Sequence, residues 1–445
     1  MSGRRAGRAI LVSAAATVAA LALAAGGTVA PASAIGSSPS PQPESQPPVD
    51  TAQEIQRDLQ GASSRPALAG TILERLKIAG ADPALGSGVS AVVLDSATGA
   101  VIYSRNPSLA LMPASNEKLT TAFVALTTMG PQKTFHTDVL VDAARTTLWL
   151  KGGGDPSLTA AAVRTMAGKA HTALVNAGKR SVGVRVDDSL FPAPTNAIGW
   201  KTSYVPGDVA PVGALVVDGR NLMDTGLDAG NVFRNELVRL GLNVTPVARA
   251  VTPSSAGVMT SVVSPPLSTL VAKMLNTSSN DYAEFLHRQS SIAAGKGASW
   301  SAANAHSLAT LKARGVNTLG VTVQDGSGLS RSDRGTGTSI TSLLHAIRNN
   351  WLVNYYFFRP DSMPTAGVSG TLASRFAQPD TICARRKVRA KTGTLSDVTA
   401  LSGTADGVDG KRRIFSIVEN GAPNTAAARF ALERFATAAT GCNPA

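Results

Sequence analysis

Apolar residues recur with two different periods along the first part of the chain. Between Pro66 and Ile78 they follow helical spacing, which predicts an amphipathic helix with proline in its first turn. From Val89 to Tyr103 the spacing changes to every second residue, interrupted by the turn sequence Asp95-Ser96-Ala97-Thr98-Gly99, which predicts a β-hairpin. The largely apolar segment from Ser115 to Met129 predicts another helix, which begins near Pro113.

The pattern changes between residues 134 and 264. Short strand-like runs separated by Gly and Pro turns dominate this segment, and one clear helix is predicted from Ala229 to Leu240. We therefore predict an inserted mixed α/β domain over residues 134–264. Helical spacing resumes from Leu267 to Leu275 and from Asp281 into the 290s.

The C-terminal part of the chain predicts strands again. Lys387 to Lys391 leads into one strand, Val398–Thr404 and Arg412–Glu419 form a hairpin, and Thr425–Thr440 is an alanine-rich helix. With a helix and hairpin first and a strand, hairpin and helix last, the core is expected to contain an antiparallel sheet built from both ends of the chain. The predicted class is α+β, with core segments 61–133 and 265–445.

The N-terminus has the features of an export signal. The chain has 445 residues, 43% of them hydrophobic and 16% charged, which is enough to bury a core in two domains. Three arginines precede an apolar run from Ile10 to Ala25 and the sequence Ala32-Ser33-Ala34. This order is typical of a signal peptide over residues 1–34, cleaved after Ala34. An uncleaved membrane anchor is the alternative, although the run is shorter than the ~20 residues of a usual span.

Residues 35–60 are rich in Pro and Ser and lack apolar periodicity, which predicts an extended tether. The formal net charge of +13 falls to +10 without the three signal-peptide arginines. The basic surface is either simply solvated or attracted to anionic wall polymers. We expect no transmembrane span in the mature chain, no nucleic-acid partner, and a location outside the cytoplasmic membrane, extracellular or in the cell envelope.

Export changes the interpretation of the two cysteines, Cys383 and Cys442. In an oxidising compartment such a pair is expected to form a disulfide. It would close a loop of about 60 residues and stabilise the fold by roughly 4 kcal/mol in the chain-entropy model. Two free thiols are the alternative.

Several kinds of chemistry are disfavoured by the residues present. The five histidines are scattered and form no HExxH motif, so we predict no metal site and no cofactor. Neither a G-x-S-x-G elbow nor a phosphate-binding loop occurs. The motifs that remain are Ser115-Asn116-Glu117-Lys118, Ser278-Ser279-Asn280 and Lys391-Thr392-Gly393. They lie at a helix start, between two helices and at a strand end, which is the context that serine acyl transfer needs.

The spacing within the motifs suggests a role for each side chain. Ser115 and Lys118 are one helical turn apart, so the amine can accept the hydroxyl proton. Lys118 must be neutral for this, and both burial and the positive Lys391 would lower its pKa. We expect Ser278 to relay a proton to the leaving amine and Asn280 to hold Lys118 and the substrate amide. Lys391 and Thr392 would bind a substrate carboxylate, next to a strand edge that can pair with a peptide.

Five runs in the sequence resemble those of a known family. They are Pro113 to Leu119, Gly152 to Leu158, Asp325 to Arg331, Gly370 to Leu372 and Lys391 to Thr394. The chain resembles the low-molecular-mass D-alanyl-D-alanine carboxypeptidase/endopeptidase family of penicillin-recognising serine enzymes, whose members carry an inserted domain. This resemblance implies a serine β-lactamase/transpeptidase-like core, an antiparallel sheet flanked by helices plus a helical subdomain. One departure is Asp333, where we expected an asparagine.

The resemblance also implies an activity and further site residues. Ser115 would form an acyl-enzyme with peptidoglycan stem peptides ending in D-Ala-D-Ala, giving carboxypeptidase and endopeptidase activity, and β-lactams would bind it covalently. Backbone N–H groups of Ser115 and Thr394 would form the oxyanion hole beside Gly393. Asp155, Arg331 and Leu395 would contact the D-centre of a diaminopimelate side chain, although a turn role for Asp155 is equally open. A β-lactamase and a non-catalytic cell-wall-binding protein are the alternatives.

Overall fold

The computed structural model describes residues 71–422 and 425–443, which belong to one compact unit. The predicted signal peptide (1–34) and tether (35–60) lie outside the described residues, as do positions 66–70 of the first predicted helix. The described part of that helix begins at Ile72, where Thr71 and Glu74 form a capping box. Within the described ranges, no helix combines the length and apolar character that crossing a bilayer requires.

The elements follow one another in the order that the hydrophobic pattern predicts at both ends of the chain. The described strands are β1 (Val89–Asp95), β2 (Val101–Arg105), β3 (His136–Val141), β4 (Thr147–Gly152), β5 (Ser181–Asp187), β6 (Asn243–Val244), β7 (Ala248–Arg249), β8 (Gly257–Val263), β9 (Val388–Leu395), β10 (Val398–Asp406) and β11 (Arg412–Asn420). The described helices are α1 (Ile72–Gly80), α2 (Glu117–Met129), α3 (Ala160–Asn176), α4 (Thr225–Arg239), α5 (Leu267–Thr277), α6 (Asn280–Ala293), α7 (Trp300–Ala313), α8 (Gly337–Asn349), α9 (Trp351–Phe358) and α10 (Thr425–Thr440).

The first sheet joins the two ends of the chain in the order β2-β1-β11-β10-β9, with all neighbours antiparallel. This confirms the predicted sheet. Successive side chains of a strand point to opposite faces. Ala91 and Val93 of β1 therefore join the cluster that contains Phe435 of α10, whereas Val92 and Leu94 join the cluster on the other face. Both faces of the sheet are buried for this reason.

A layer of helices covers the second face of this sheet. Leucines and other apolar residues of α2, α5, α6 and α8 form one cluster with it, among them Phe123, Leu270, Leu286 and Leu344. The first ten residues of α2 are all buried. The fold is thus α+β, an antiparallel sheet flanked by helices, as predicted. Because α2 starts next to the sheet, its first turn is buried between the sheet and the other helices.

A second, mixed sheet has the order β6-β5-β4-β3-β8, with β7 also paired to β5. The β4–β5 and β5–β6 pairs are parallel. Parallel neighbours need a crossover connection, and α3 and α4 supply one for each pair. The mixed α/β character predicted for 134–264 is confirmed, while its status as a separate domain with those limits stays a prediction.

The expectation of one clear helix in this segment is wrong, because α3 is a second one. Val163, Met166 and Leu174 are buried on one side of α3. Its many alanines and its internal Gly168 weaken the contrast between the two sides, which obscured the helical period. The helix predicted from Ala229 is α4, which begins earlier, at Thr225.

Cys383 and Cys442 form a disulfide across a sequence separation of 59 residues. The bond connects the segment before β9 to the end of α10. This confirms the predicted pairing and excludes the alternative of two free thiols in this structure.

Candidate active site

Ser115 lies in a tight turn that leads from the sheet into α2. Ala114–Asn116 form a 3₁₀ turn, so α2 itself begins at Glu117 rather than at Ser115. Ala114 has φ of +46°, in the left-handed region that favours glycine, so the backbone directly before Ser115 is strained. Asn116 Nδ2 donates to Ser402 Oγ of β10 at 2.9 Å, which ties the turn to the sheet.

The side chain of Lys118 connects three segments that are far apart in sequence. Its Nζ donates to Ser115 Oγ at 3.0 Å, to Asn280 Oδ1 at 2.7 Å and to the Ser327 carbonyl oxygen at 2.7 Å. The side chain is fully buried, with 0% exposure. Folding therefore brings the S-x-x-K and S-x-N motifs into direct contact.

Burial lowers the pKa of Lys118 to about 8, although nearby carboxylates, first of all Asp325 and Glu284, raise it. The direction is the one that a general base requires. The expected contribution of Lys391 is not among the principal causes of this shift. A large fraction of Lys118 is consequently neutral at mildly alkaline pH.

Ser278 occupies the junction between α5 and α6. It ends α5 in the left-handed conformation, with φ of +59°, which turns its hydroxyl towards β9. Lys391 Nζ donates to Ser278 Oγ at 2.8 Å and to the Thr392 carbonyl oxygen at 2.9 Å. Lys391 is fully buried, and burial followed by the charge of Lys118 holds its pKa well below the usual value. The three motifs thus form one continuous set of contacts.

The glycine of K-T-G permits close approach of β9 to the Ser115 turn. A Cβ atom on Gly393 would lie 2.8 Å from the Pro113 carbonyl oxygen and 3.2 Å from Ala114 Cβ, so no side chain fits there. β9 is the last strand of its sheet, and Thr365 bridges to it only at Arg389. Among the described residues, its edge from Lys391 to Leu395 has no strand beside it.

An open cleft of about 830 Å³ lies over these groups. The predicted residues that line it are Ser115, Ser278, Asn280, Thr392, Thr394 and Leu395. Thr392 Oγ1 is 2.9 Å from Thr371 Oγ1, another lining residue. Lys118 and Lys391 lie below the surface of the cleft, since both are fully buried.

Asp155 and Arg331 are not among the described residues that line this cleft. Asp155 Oδ1 accepts from the Ser157 backbone N–H at 2.8 Å and from Ser157 Oγ at 2.6 Å, as a turn residue does. Arg331 forms a two-pronged ion pair with Asp397, at 2.9 and 2.6 Å, close to Tyr204 at the cleft edge. These hydrogen bonds of Asp155 and Arg331 join neither residue to the other.

The loop from Asp325 to Ser330 positions the third acceptor of Lys118. Glu284 of α6 accepts from the backbone N–H groups of Gly326 and Ser327, at 2.9 and 2.8 Å, which directs the Ser327 carbonyl towards Lys118. In the sequence this run is only one of the marks of the family resemblance, and no function was predicted for Ser327 or Glu284. Within 71–422 and 425–443, no three His, Cys, Asp or Glu side chains are arranged to hold a metal ion.

The cleft also contains residues outside the three motifs that were not predicted. Lys201, Tyr204 and Asp208 come from the segment between β5 and α4, and Arg429 comes from α10. Asn280 Nδ2 donates to the Asp208 carbonyl oxygen at 2.8 Å, which connects this segment to the S-x-N motif. None of these residues lies in a motif, so periodicity and spacing gave no signal for them.

The fold resembles that of solved penicillin-binding proteins. The fold is that of penicillin-binding proteins: penicillin-binding protein 4 of Haemophilus influenzae matches with a TM-score of 0.70 at 20% identity, over 83% of this chain and 98% of that one. A structure of the same protein with a β-lactam matches with a TM-score of 0.64. At this identity the likeness shows the fold alone.

Sequence comparison shows the family. The model of the D-Ala-D-Ala carboxypeptidase 3 (S13) family matches residues 72–225 and 219–439, so the chain belongs to that family. Carboxypeptidase Rv3627c of Mycobacterium tuberculosis is 31% identical over 425 residues, 89% of each chain. The D-alanyl-D-alanine carboxypeptidase of Actinomadura sp. strain R39 is 30% identical over 76% of this chain and 79% of its own. The chain is a serine-type D-Ala-D-Ala carboxypeptidase, as predicted.

Proposed function

We propose that the chain hydrolyses peptides through an acyl-enzyme on Ser115, with Lys118 as general base. One observation carries this proposal: Lys118 Nζ contacts Ser115 Oγ at 3.0 Å, while Asn280 Oδ1 and the Ser327 carbonyl oxygen each lie 2.7 Å from it. A neutral amine has two N–H bonds and one lone pair. The two acceptors engage the N–H bonds, which leaves the lone pair for the Ser115 proton.

The proposed reaction has two steps. Ser115 Oγ attacks the carbonyl carbon while its proton passes to Lys118, and the C–N bond then breaks as that proton passes from Lys118 through Ser278 to the leaving amine. Water then attacks the ester, which releases the shortened peptide and restores Ser115. The backbone N–H groups of Ser115 and Thr394 are proposed to stabilise the oxyanion. The close packing of Gly393 on the Ser115 turn supports this arrangement, because it fixes Thr394 relative to Ser115.

The proposed substrates are peptidoglycan stem peptides that end in D-Ala-D-Ala. Lys391 and Thr392 would bind the terminal carboxylate, and Lys201 and Arg429 make this cleft cationic. Burial lowers the pKa of Lys391, so a bound carboxylate would restore its charged form and gain a strong interaction. β-Lactams are proposed to acylate Ser115 in the same way, and the related fold with a bound β-lactam supports this.

Endopeptidase activity on cross-linked peptides is a further part of the proposal. Leu395 lines the cleft after K-T-G-T, and Arg331 is held by Asp397 near the cleft edge, where both could contact a diaminopimelate D-centre. For Asp155 the bonds to Ser157 favour the turn role.

We also propose that the chain is exported and acts outside the cytoplasmic membrane. The order of basic, apolar and small residues over 1–34 supports this. The Cys383–Cys442 disulfide supports it independently, because such bonds persist in oxidising compartments.

Peptide mapping after incubation with penicillin, together with analysis of muropeptide products, tests the proposed function. We expect one adduct, on Ser115, loss of terminal D-alanine and cleavage of some cross-links. Ser115→Ala should abolish all three, whereas Ser301→Ala, at an exposed position on α7, should not. Fast release of hydrolysed penicillin without D-alanine release would indicate a β-lactamase. A folded protein without adduct or product would indicate a non-catalytic wall-binding protein.

A further inference from the structure

Four acidic side chains are buried together behind Lys118. They are Glu117 at the start of α2, Glu284 of α6, Asp325 and Asp333, which are 5%, 0%, 0% and 0% exposed. The proposed reaction uses none of them directly. Four buried carboxylates in one cluster cannot all be ionised, because burial and neighbouring like charges both disfavour the charged form.

Asp325 is the member of the cluster that organises the loop carrying Ser327. Its Oδ1 accepts from the Gly328 N–H at 2.7 Å, and its Oδ2 accepts from the Ser330 N–H and Trp200 Nε1, both at 2.7 Å. Both oxygens therefore accept hydrogen bonds from donors of the loop or of Trp200. Holding this loop in place also holds the Ser327 carbonyl against the Lys118 amine.

Asp333 faces Asp325 and has one oxygen without a partner. Its Oδ1 accepts from the Gln324 N–H at 2.6 Å. Its Oδ2 is buried and receives no hydrogen bond from any donor in the described part of the chain. The two side chains are within hydrogen-bonding reach of each other. A proton on Asp333 Oδ2 would supply the missing donor and remove the repulsion between two buried anions.

We propose that Asp333 is a positioning residue that remains protonated and donates a hydrogen bond from Oδ2 to Asp325. It thereby keeps the Ser327 carbonyl oxygen in hydrogen-bonding contact with Lys118 Nζ. Burial, followed by the charges of Asp325 and Glu117, raises the pKa of Asp333 well above its usual value, in agreement with this geometry. The effect on catalysis rests on the proposed function, whereas the protonation of Asp333 does not.

Among the described residues, the charged groups that influence Asp333 are acids and supply no countercharge to its carboxyl. Glu117 faces it from α2, and Glu284 of α6 lies behind Asp325. On its own segment, Arg334 donates to the backbone carbonyl of Asp333 rather than to its carboxylate. Lys118 is already engaged with Ser115, Asn280 and Ser327. Loss of the Asp333 proton at high pH would therefore place two uncompensated anions side by side and loosen the loop.

Asp333→Asn tests the proposal, because its amide can donate to Asp325 and its oxygen can still accept from Gln324. Asp361→Asn, at an exposed position, is the matched control. In the infrared difference spectrum at neutral pH, the parent should show one protonated carboxylic-acid band that Asp333→Asn lacks and Asp361→Asn keeps. If Asp333→Asn keeps every protonated carboxylic-acid band of the parent, the proposal is wrong, whatever the activity of the variant.

Stability and acylation provide the second and third readouts. An acid with a raised pKa in the folded state contributes stability that is fully present below its unfolded pKa, 3.8, and is lost as pH rises through the folded pKa. The melting temperature of the parent should therefore fall progressively below that of Asp333→Asn as pH increases. In both proteins penicillin acylation should rise as Lys118 loses its proton; above that rise, the rate of the parent should decline where that of Asp333→Asn does not, with a difference of at least about tenfold, equivalent to ~1.4 kcal/mol.

The outcomes separate the two hypotheses. If the infrared band is lost but the acylation pH profiles superimpose, the positioning role is wrong. If neither protein reacts with penicillin, the proposed function fails, and the infrared and melting data still decide the protonation of Asp333. If Asp333→Asn does not fold, Asp333→Ser replaces it, because its hydroxyl can also donate. In that case an infrared titration of the parent must also show an acid that loses its proton over the pH range in which the protein loses stability.

Discussion

Ala114, which precedes the proposed nucleophile, and Ser278, the proposed proton relay, hold backbone conformations that L-residues rarely adopt. Their φ angles are +46° and +59°. Such strain persists only where the surrounding contacts determine the backbone. At Ala114 the contact is with the 325–330 loop, because a Cβ on Gly328 would lie 1.9 Å from the Ala114 carbonyl oxygen. Strain on both sides of the cleft thus places the hydroxyls of Ser115 and Ser278.

Removal of the Lys118 amine is the most direct test at the residue scale. Lys118→Ala is expected to slow penicillin acylation by about 100- to 10,000-fold, the range that a positioned general base contributes. In the parent, the rate should rise as pH increases through about 8, because the amine must lose its proton before it can accept that of Ser115. Acylation time courses by intact mass measure both effects. Lys133→Ala, at an exposed position, is the control, and a Lys118→Ala rate close to that of the parent would contradict the role.

Gly393 offers a second test, of packing rather than of chemistry. Gly393→Ala would place a Cβ 2.8 Å from the Pro113 carbonyl oxygen, so β9 must move away from the Ser115 turn. We expect a loss of roughly 1–3 kcal/mol in the free energy of unfolding, as for other overpacked sites, and slower acylation. Urea unfolding and acylation rates measure these changes. Gly168→Ala in α3, where a Cβ meets nothing within 4 Å, should show neither.

At the scale of elements, the edge of β9 from Lys391 to Leu395 and the start of α2 form the two walls of the site. No strand within the described ranges pairs with this part of β9, and α2 is fixed because its first ten residues are buried between the sheet and the other helices. An extended peptide could add to this edge through main-chain hydrogen bonds. β9 itself is held in place by its pairing with β10 on the other side and by the segment that precedes it.

The disulfide secures that preceding segment to α10. The double variant Cys383→Ser/Cys442→Ser is expected to lower the free energy of unfolding by roughly 4 kcal/mol, the value that the chain-entropy model gives for a loop of this length. Urea denaturation of the variant, of the parent and of the reduced parent measures the change. The variant and the reduced parent should agree, and equal stability of variant and oxidised parent would contradict the expectation.

At the scale of the whole molecule, the site is assembled from every major part of the described chain. The first sheet supplies β9, and the turn before α2 supplies Ser115. The helical layer supplies Lys118 and Asn280, and the segment between β5 and α4 supplies Trp200 and the Asp208 carbonyl. The segment between the two halves of the core therefore contributes to the catalytic surroundings as well as to the second sheet.

Export is the prediction that concerns the whole chain. Protein recovered from outside the cells should begin at Ile35, because cleavage follows Ala32-Ser33-Ala34. Intact-mass analysis of secreted and membrane fractions tests this. Ala34→Phe places a bulky residue at the cleavage site, so the signal peptide should stay attached and the recovered chain should be longer. Full-length parent protein confined to the membrane fraction would instead support the uncleaved anchor.

Local features were predictable because their causes are local. The alternation in β1, the apolar run of α2 and the hairpin of β10 and β11 are set by neighbouring residues, and the motif spacing put Ser115 and Lys118 on one helical turn. α3 escaped prediction because alanines and a glycine blur its period. Arg429 and Lys201 escaped because no motif contains them.

The sequence by itself determined the residue types and the elements that carry them: the Ser–Lys pair, the S-x-N and K-T-G motifs, the pairing of the cysteines and the sheet built from both chain ends. Only the tertiary structure decided how the amine of Lys118 is held and how four acids come to lie behind it. Desolvation and charge interactions depend on distances between atoms, and residues such as Lys118 and Ser327 are separated by 209 positions along the chain. The pattern of a linear sequence does not record those distances.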